Sequence, residues 1–322
     1  VSRPSGDLIV PFVPAHQVAA ILLTSGSTGE PVPHAKAWGG LVRIVRAELG
    51  RLGFNGHSNT AIIGTVPPQH MYGLESTVLM AMPGGLALHA ARPFYPADVC
   101  TELEAMPRPR VLVTTPVHLR ALVAGHIALP RVDVIVCATA PLSPQLAAEA
   151  QARFGASLYE IYGCTEAGEL ATRRTVETAE WQTLPGVTLH QDEKGTWVQG
   201  GNVDSEILRN DVIELRNAER FLLHGRNADL VNIAGKRTSL ANLNYHLNSI
   251  EGVVDGVFVM PEEQAGVVTR LTAFVVAPGL TRETLMHALR SRIDAAFLPR
   301  PLHLVASLPR NTTGKLPREA LA

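Results

Sequence analysis

Short apolar runs alternate with segments of helical period through the first half of the chain. The predicted strands cover residues 18–23, 60–66, 86–90, 110–114 and 132–137, and the predicted helices cover residues 38–52, 76–82, 116–123 and 144–154. The first helix has the clearest period, because Leu41, Val45, Leu49 and Leu52 recur on one face. This alternation predicts a large α/β domain with a mixed parallel sheet, and open sheets of this kind bind ligands at the carboxyl ends of their strands.

The hydrophobic pattern changes beyond residue 157. Alternating runs predict antiparallel strands within residues 171–224, and a polar, glycine-punctuated passage at residues 225–240 indicates a boundary. The last part is a small α+β domain, with predicted helices at 240–250 and 281–297 and predicted strands at 254–260 and 271–276. We therefore expect a large domain over residues 1–225 and a small C-terminal domain over residues 226–322.

Composition narrows the possible functions. The chain has 322 residues, of which 46% are hydrophobic and 18% are charged, so it can bury a substantial core. A net charge of −1 gives no basis for binding nucleic acid or an anionic membrane surface. No apolar run reaches the length of a membrane span, and no signal peptide is visible. Three scattered cysteines favour a reducing compartment and give no metal site, so we expect a cytoplasmic location.

A loop rich in Gly, Ser and Thr follows the first predicted strand, which we expect to be buried. Its unhindered backbone N–H groups and hydroxyls suit the binding of phosphate. A loop of this composition is also common as an ordinary turn, so the motif needs others beside it. The loop consists of Thr24, Ser25, Gly26, Ser27, Thr28, Gly29, Glu30 and Pro31.

Two further clusters contain groups that suit a nucleotide. In the segment from Tyr159 to Glu166, the ring of Tyr162 can stack on a base, Thr165 can donate a hydroxyl to phosphate, and Glu166 can bind Mg²⁺. Fifteen positions separate Asp211 from Arg226, a carboxylate for ribose hydroxyls and a guanidinium for phosphate. The alternatives are a strand end with a surface carboxylate and a surface ion pair.

Glycine-containing loops mark the start and the end of the C-terminal part. The first runs from Gly225 to Asp229 and continues at Gly235, Lys236 and Arg237. Its glycines suggest a hinge or a close backbone approach to a ligand, and the alternative is an ordinary interdomain turn. The second places Lys315 on a Gly/Thr loop, where it is either a mobile charge for phosphate or carboxylate oxygens or a solvated terminal lysine.

Taken in this order, the motifs resemble those of the adenylate-forming superfamily, which includes acyl- and aryl-CoA synthetases, luciferases and the adenylation domains of peptide synthetases. Residues 24–31 are similar to its phosphate loop, residues 69–74 to its aromatic/His substrate segment, and residues 138–142 to the stretch beside adenine. Residues 162–166 match the Tyr-Gly-x-Thr-Glu signature, and residues 309–315 match the Pro-x-x-x-x-Gly-Lys loop. The resemblance extends from about residue 18 to the end of the chain.

The resemblance implies a two-step ligase. A carboxylate attacks the α-phosphate of Mg·ATP to give an acyl-adenylate, and a thiol of CoA or of a carrier protein's phosphopantetheine then displaces AMP. It implies catalytic roles for Lys315, Thr165, Glu166, Arg226 and His70, with Glu166 as the metal ligand. ATP would be bound by the loop residues Thr24 to Gly29 and by Lys36, Ala140, Pro141, Tyr162, Gly163 and Asp211. The small domain would rotate between the steps on a hinge at Ala228 and Asp229, and would present Gly235, Lys236 and Arg237 to the thiol.

Three positions depart from the family's pattern. Val32 stands where the phosphate loop usually has a lysine, so either Lys36 substitutes for it or the loop acts through its backbone and hydroxyls alone. Ala228 stands where the hinge usually has Asp or Lys, and Asp229 is adjacent. Only 23 residues precede Thr24, which indicates a removed N-terminal subdomain or a compact subgroup similar to shortened ligases that load carrier proteins.

These departures leave a second hypothesis beside the enzyme, namely a catalytically impaired relative that binds nucleotide or a partner without turnover. The complete set of motif residues favours the enzyme. The expected partners are a carboxylic acid substrate and either CoA or an acyl carrier protein, and the expected cofactors are ATP and Mg²⁺.

Overall fold

The computed structural model describes residues 11–25, 31–54, 59–125, 127–203, 205–226, 229–233, 235–261, 270–310 and 316, without the side chains of Ser25, Pro31 and Arg226. Several predicted site residues lie outside this description: Gly26, Ser27, Thr28, Gly29, Ala228 and Lys315.

A mixed sheet forms the centre of the large domain, and nine strands of the described chain belong to it in the order β13-β14-β9-β8-β7-β6-β5-β3-β4. The half from β4 to β7 is parallel, and the half from β7 to β13 is antiparallel. This confirms the predicted fold class. The strands are β3 Ala61–Gly64, β4 Ala87–Leu88, β5 Arg110–Thr114, β6 Val134–Cys137, β7 Ser157–Cys164, β8 Gly168–Arg173, β9 Trp181–Thr183, β13 Asp211–Leu215 and β14 Arg220–Arg226.

Helices cover both faces of the parallel half, because successive side chains of its strands point to opposite faces. Ile62 and Val113 belong to one buried cluster, while Ile63 and Leu112 belong to the other. The helices are α1 Trp38–Leu52, α2 Met71–Gly73, a π-helical segment Leu74–Leu79, α3 Met80–Gly84, α4 Pro96–Ala105, α5 Pro116–Ala124 and α6 Pro144–Phe154. The first helix is confirmed. The helix predicted from residue 76 begins earlier, and α4 was not predicted.

The first predicted strand is present as β1 Val18–Ser25, but the prediction that it is buried is wrong. It forms a two-stranded antiparallel hairpin with β2 Pro31–Ala37, apart from the main sheet. Ile21 and Leu23 are exposed and Leu22 is buried, since alternate side chains of a strand point to opposite faces. Residues 26–30, which join β1 to β2 in the sequence and belong to the predicted phosphate loop, lie outside the described residues.

A second, three-stranded sheet consists of β10 Val187–Asp192, β11 Gly195–Gly200 and β12 Ile207–Arg209. All of its pairings are antiparallel, as the alternating pattern predicted. One residue separates the end of β12 from Asp211, the first residue of β13. The small sheet therefore leads directly into the outer strand of the large one.

The C-terminal part has its own cluster of buried side chains, which includes Leu247, Phe258, Val275 and Leu285. Its elements are β15 Leu230–Ile233, β16 Lys236–Ser239, α7 Leu240–Asn248, β17 Asp255–Val259, β18 Thr272–Val276, α8 Arg282–Arg290, a 3₁₀ turn Ala295–Phe297 and β19 Leu302–Leu304. The helix predicted over 281–297 is too long, because α8 ends at Arg290. The domain boundary between residues 225 and 226 stays a prediction. No helix in the described part of the chain combines the length and the apolar character that a membrane crossing requires.

Candidate functional site

The turn that follows β7 contacts the β1–β2 hairpin through Lys36. The Lys36 side chain lies in β2, is 3% exposed, and donates from Nζ to the backbone oxygen of Glu166 at 2.6 Å. Burial lowers the pKa of Lys36, while Glu75, Cys164 and Glu166 act in the opposite direction. Lys36, which the sequence predicted to contact phosphate, therefore donates a hydrogen bond to the backbone of Glu166, the predicted metal ligand. A direct contact of Lys36 with ATP stays a prediction.

Glu166 is exposed at this turn and Thr165 is half-buried beside it. Burial raises the pKa of Glu166, but backbone hydrogen bonding, Cys164, Arg209 and His34 lower it on balance, so the carboxylate is ionised at neutral pH. Gly163 is required here, because a Cβ at this position would lie 2.4 Å from the backbone oxygen of Gly168. One ionised, accessible carboxylate suits Mg²⁺, which is usually held by one or two carboxylates together with substrate phosphates.

Tyr162 connects the same turn to Asp211. Its hydroxyl donates to Asp211 Oδ2 at 2.6 Å, and its ring packs 5.5 Å from Phe221 and 5.8 Å from Trp181. Burial raises the pKa of Tyr162, so the hydroxyl stays a donor. Tyr162 thus fixes the predicted ribose-binding carboxylate, and its predicted stacking on the base is not tested.

Arg209 is a site residue that the sequence analysis missed. Its guanidinium donates to Asp211 Oδ2 at 2.5 Å and to Cys164 Sγ at 2.8 Å, and it lies 6.0 Å from the centre of the Tyr162 ring. Burial raises the pKa of Cys164 to about 11, so the group beside Arg209 is a thiol. A signal was available, because Arg209 stands two positions before Asp211 and alternate positions of an extended chain share a face.

The predicted adenine stretch lies at the carboxyl end of β6. Thr139 has φ 83°, a left-handed conformation that is uncommon for a residue other than glycine. Glu160 of β7 holds the following turn, since its Oε1 accepts from the backbone N–H of Leu142 at 3.3 Å and its Oε2 accepts from Arg173 Nε at 2.7 Å. The structure therefore places Ala140 and Pro141 on a strained turn held by the neighbouring strand.

The predicted substrate segment lies over the same edge of the sheet. The hydroxyl of Tyr72 lies 2.9 Å from the backbone oxygens of both Thr114 and Val136, at the carboxyl ends of β5 and β6. His70 is exposed immediately before α2. Open α/β sheets bind ligands along this edge.

A cleft of about 190 Å³ separates this edge from the C-terminal part. Ala140 and Pro141 line it on one side, and Asn244 and Leu316 line it on the other. Leu316 directly follows Lys315 in the sequence. The described chain on either side of the predicted catalytic lysine, at Arg310 and Leu316, thus faces the predicted adenine stretch.

The predicted thioester-step loop lies in the β15–β16 hairpin. Gly235 has φ 78°, which the hairpin turn requires and a side chain would disfavour. Lys236 begins β16 and forms an ion pair with Asp294 of the same domain. Arg237 is exposed, and Asp229 immediately precedes β15. The role of this loop toward a thiol stays a prediction.

Replacing Lys36 by methionine is expected to raise the KM for ATP about tenfold, the typical value of a lost hydrogen bond from a charged donor. The apolar stem keeps the packing while the Glu166 turn loses its anchor. Steady-state kinetics at saturating carboxylic acid measure the effect, and Lys194→Met, at an exposed lysine in the β10–β11 turn, is the control. An unchanged KM and kcat would mean that the loop holds phosphate through its own hydroxyls and backbone.

Two arginines contact the carboxylate of Asp255, and one of them, Arg120, does so across the cleft. Arg310 binds Asp255 with two nitrogens, at 2.7 and 2.9 Å, and Arg120 of α5 reaches the same carboxylate at 3.3 Å. The three side chains are 15% to 19% exposed. This ion cluster therefore joins the C-terminal part to the large domain in the arrangement described.

Asp255→Asn is expected to lower the adenylation rate about fivefold, because an ion pair near the surface stabilises by about 1 kcal/mol and two arginines are left facing each other. Transfer of the acyl group from a supplied acyl-adenylate to the thiol should slow less, since this step requires another arrangement of the domains. Glu177→Gln, which removes the exposed partner of Arg174 away from the cleft, serves as the control. Equal decreases in the rates of adenylation and of acyl transfer would contradict the view that the ion cluster stabilises the arrangement used for adenylation.

The model of the family described as "AMP-binding enzyme" matches residues 4–193. The chain is 28% identical to the 4-coumarate–CoA ligase of Halorhodospira halophila over 98% of this chain and 79% of that protein. It is 22% identical to the 2-succinylbenzoate–CoA ligase of Staphylococcus epidermidis, over 94% of this chain and 69% of the relative.

The fold agrees with solved structures. ATP-bound MatB from Rhodopseudomonas palustris superposes with a TM-score of 0.80 at 21% identity, covering 96% of this chain and 68% of that one. At this identity the likeness concerns the fold. The family model, by contrast, covers more than half of the 322 residues. The chain therefore belongs to the family of AMP-binding enzymes.

Proposed function

We propose that this protein is an acid–thiol ligase that forms AMP. It activates a carboxylic acid with Mg·ATP and transfers the acyl group to the thiol of CoA. The observation that carries the proposal is a pair of contacts made by the β7 strand and its turn beside the carboxyl edge of the sheet: Lys36 binds the backbone oxygen of Glu166, and the Tyr162 hydroxyl binds Asp211. Membership of the AMP-binding family and the similarity to two CoA ligases support it.

In the first step a carboxylate oxygen of the acid attacks the α-phosphorus of ATP. The bond from that phosphorus to the bridging oxygen breaks, and pyrophosphate leaves. Such a displacement depends on positioning and on neutralising charge more than on covalent help from the protein. Glu166 would hold Mg²⁺, which neutralises phosphate charge when bound; Thr165 would donate to phosphate, and Asp211 would hold the ribose.

In the second step the sulfur of the thiol attacks the acyl carbon, the bond to the AMP oxygen breaks, and the thiol proton is released. The cleft beside Ala140 and Pro141 must then admit a different part of the C-terminal domain. The Arg120–Asp255 contact supports this view, because it crosses the cleft and both side chains keep some exposure to water, so the pair can separate when the C-terminal domain moves. The hinge at Ala228 and Asp229 is part of the proposal.

The acid and the acceptor are narrower proposals. Both curated relatives described above are named for aryl-bearing acids, and Tyr72 lies beside the expected acid pocket, so we propose an aryl or medium acyl acid. A carrier-protein phosphopantetheine presents the same thiol as CoA and is the second candidate acceptor. The three cysteines are free thiols, which suits the cytoplasm, where ATP and CoA are available.

An ATP–pyrophosphate exchange assay tests the proposal. The panel should include 4-coumarate, 2-succinylbenzoate, benzoate and medium-chain fatty acids, and each exchanging acid should then be tested with CoA and with a holo-carrier protein. Exchange with at least one acid is expected. A folded protein that binds ATP and exchanges with none would contradict the enzyme and support a binding role.

A further inference from the structure

The junction between the two sheets of the large domain brings Arg209 against the predicted ribose site. Arg209 ends β12, the outer strand of the small sheet, and Asp211 begins β13 of the large sheet. Their side chains are 10% and 7% exposed, so their ion pair is nearly removed from solvent. A buried pair of this kind constrains both partners, because either charge alone would be left poorly solvated.

Two donors meet on one oxygen of Asp211. Arg209 Nη2 lies 2.5 Å from Oδ2, and the Tyr162 hydroxyl lies 2.6 Å from the same atom. Together they fix the rotation of the carboxylate about its last side-chain bond. The other end of the guanidinium is fixed as well, by Cys164 Sγ at 2.8 Å from Nη1.

Arg209 therefore links the turn carrying Glu166 to the carboxylate expected at the ribose. Its planar fork spans Cys164 and Asp211 at once, and an ammonium group at the end of a flexible stem cannot reproduce that geometry. The Nε of Arg209 is buried and makes no hydrogen bond to any residue that the structure describes.

We infer that Arg209 is a positioning residue for nucleotide recognition, which holds Asp211 in the orientation that accepts the ribose hydroxyls of AMP and ATP. The inference rests on the proposed function, since it needs Asp211 at the ribose. Arg209 acts through Asp211 and does not contact the phosphates. The affinity for a nucleotide that lacks the ribose hydroxyls should then not depend on Arg209.

A binding cycle tests this directly. Isothermal titration calorimetry compares AMP with 2′,3′-dideoxy-AMP on the wild type, Arg209→Met, Arg209→Lys and the control Arg220→Met, which changes an exposed arginine of β14. The wild type is expected to bind AMP at least about tenfold more tightly than the dideoxy nucleotide. Arg209→Met is expected to lose about tenfold for AMP and less than about twofold for dideoxy-AMP.

The outcomes separate the inference from the proposed function. Equal weakening of both nucleotides by Arg209→Met would overturn the inference, because Arg209 would then act on the phosphate, the base or the whole domain. A wild type that binds neither nucleotide, or both alike, would overturn the placement of ribose at Asp211 and the proposed function with it. Should the methionine variant not fold, Arg209→Lys decides: a loss confined to AMP supports the inference, and an equal or absent loss refutes it.

Discussion

Lys315→Ala is expected to lower the rate of ATP–pyrophosphate exchange by about 10²–10³-fold, the usual cost of removing one donor that stabilises charge developing in a transition state. In the first half-reaction two anions, the carboxylate and the α-phosphate, must approach each other. A cation that contacts both offsets their repulsion. The proposed role thus concerns the first step alone.

Lys315 itself lies outside the described residues, and the position of the next residue in the sequence supports the prediction. Leu316 lines the cleft together with Ala140 and Pro141, the predicted neighbours of adenine. Lysine is also rare here, since the sequence contains only four: Lys36, Lys194, Lys236 and Lys315. Three of them, Lys36, Lys236 and Lys315, belong to the predicted site.

Lys194 provides the matched control, because it is exposed in the β10–β11 turn and belongs to no motif. Lys194→Ala should leave exchange unchanged. A second measurement separates chemistry from folding: Lys315→Ala supplied with a synthetic acyl-adenylate should still transfer the acyl group to CoA. Normal exchange by Lys315→Ala would remove Lys315 from the reaction, and loss of both half-reactions would indicate a folding defect.

The sequence predicted the elements whose side-chain period is unambiguous. Helix α1 has the predicted bounds because its apolar residues repeat with a helical period, and β5 has them because its apolar run is short and ends at a proline after Thr115. The β1–β2 hairpin was not predictable in the same way. An apolar run of six residues is compatible with a buried strand or with a hairpin that has one exposed face, and periodicity does not distinguish them.

The candidate site shows the same limit for side chains. The order of motifs predicted Tyr162, Glu166 and Asp211, and the structure pairs Tyr162 with Asp211 and Glu166 with Lys36. It did not show that Lys36 is buried, because burial depends on the packing of the hairpin against the β7 turn. Arg209 was missed because the motif from which the site was inferred begins only at Asp211.

Three buried glutamates are the least predictable feature of the large domain. Glu48 and Glu75 are fully buried and Glu169 is 2% exposed, whereas glutamate is almost never fully buried unless it is paired. A signal existed for Glu48, which shares the apolar stripe of α1 with Leu41, Val45 and Leu52. Sequence alone does not reveal that the three carboxyls come together.

Their contacts indicate how the cluster is tolerated. Ser76 Oγ donates to Glu169 Oε1, and the Glu169 backbone N–H donates to Glu75 Oε2 at 2.9 Å. Glu48 lies beside Glu169, and neither of its oxygens has a well-formed hydrogen bond to a described residue. Lys36 is the nearby cation and acts on Glu75. One positive charge cannot balance three carboxylates, so the cluster must retain protons at neutral pH.

Burial accordingly raises the pKa of all three. The pKa values of Glu48 and Glu75 lie well above their ordinary value, with repulsion from Glu169 as the next cause. Burial raises the pKa of Glu169 from 4.5 to about 7. A carboxyl with a raised folded-state pKa binds more protons folded than unfolded, so its stabilisation is complete below pH 4.5 and is lost as pH rises through about 7.

Glu169→Gln is therefore expected to stabilise the protein at alkaline pH. The amide mimics the protonated acid: its oxygen can still accept from Ser76, and its nitrogen can donate to Glu48. As the pH rises from 4.5 to 7, ionisation of the wild-type Glu169 carboxyl lowers the free energy of unfolding by on the order of 3 kcal/mol, at about 1.4 kcal/mol for each pH unit. The variant should melt at nearly the same temperature as the wild type at pH 5 and several degrees above it at pH 8, since 1 kcal/mol shifts a Tm by about 2–4 °C in a domain of this size.

Differential scanning fluorimetry from pH 5 to 8.5 measures this difference, with Glu149→Gln as the control at an exposed glutamate of α6. The control should shift the Tm by an amount that does not depend on pH, because the exposed Glu149 side chain stays in contact with water when the protein folds. Parallel curves for Glu169→Gln and the wild type would mean that Glu169 is ionised when folded. The cluster would then need a second positive charge, which the described residues around Glu48, Glu75 and Lys36 do not supply.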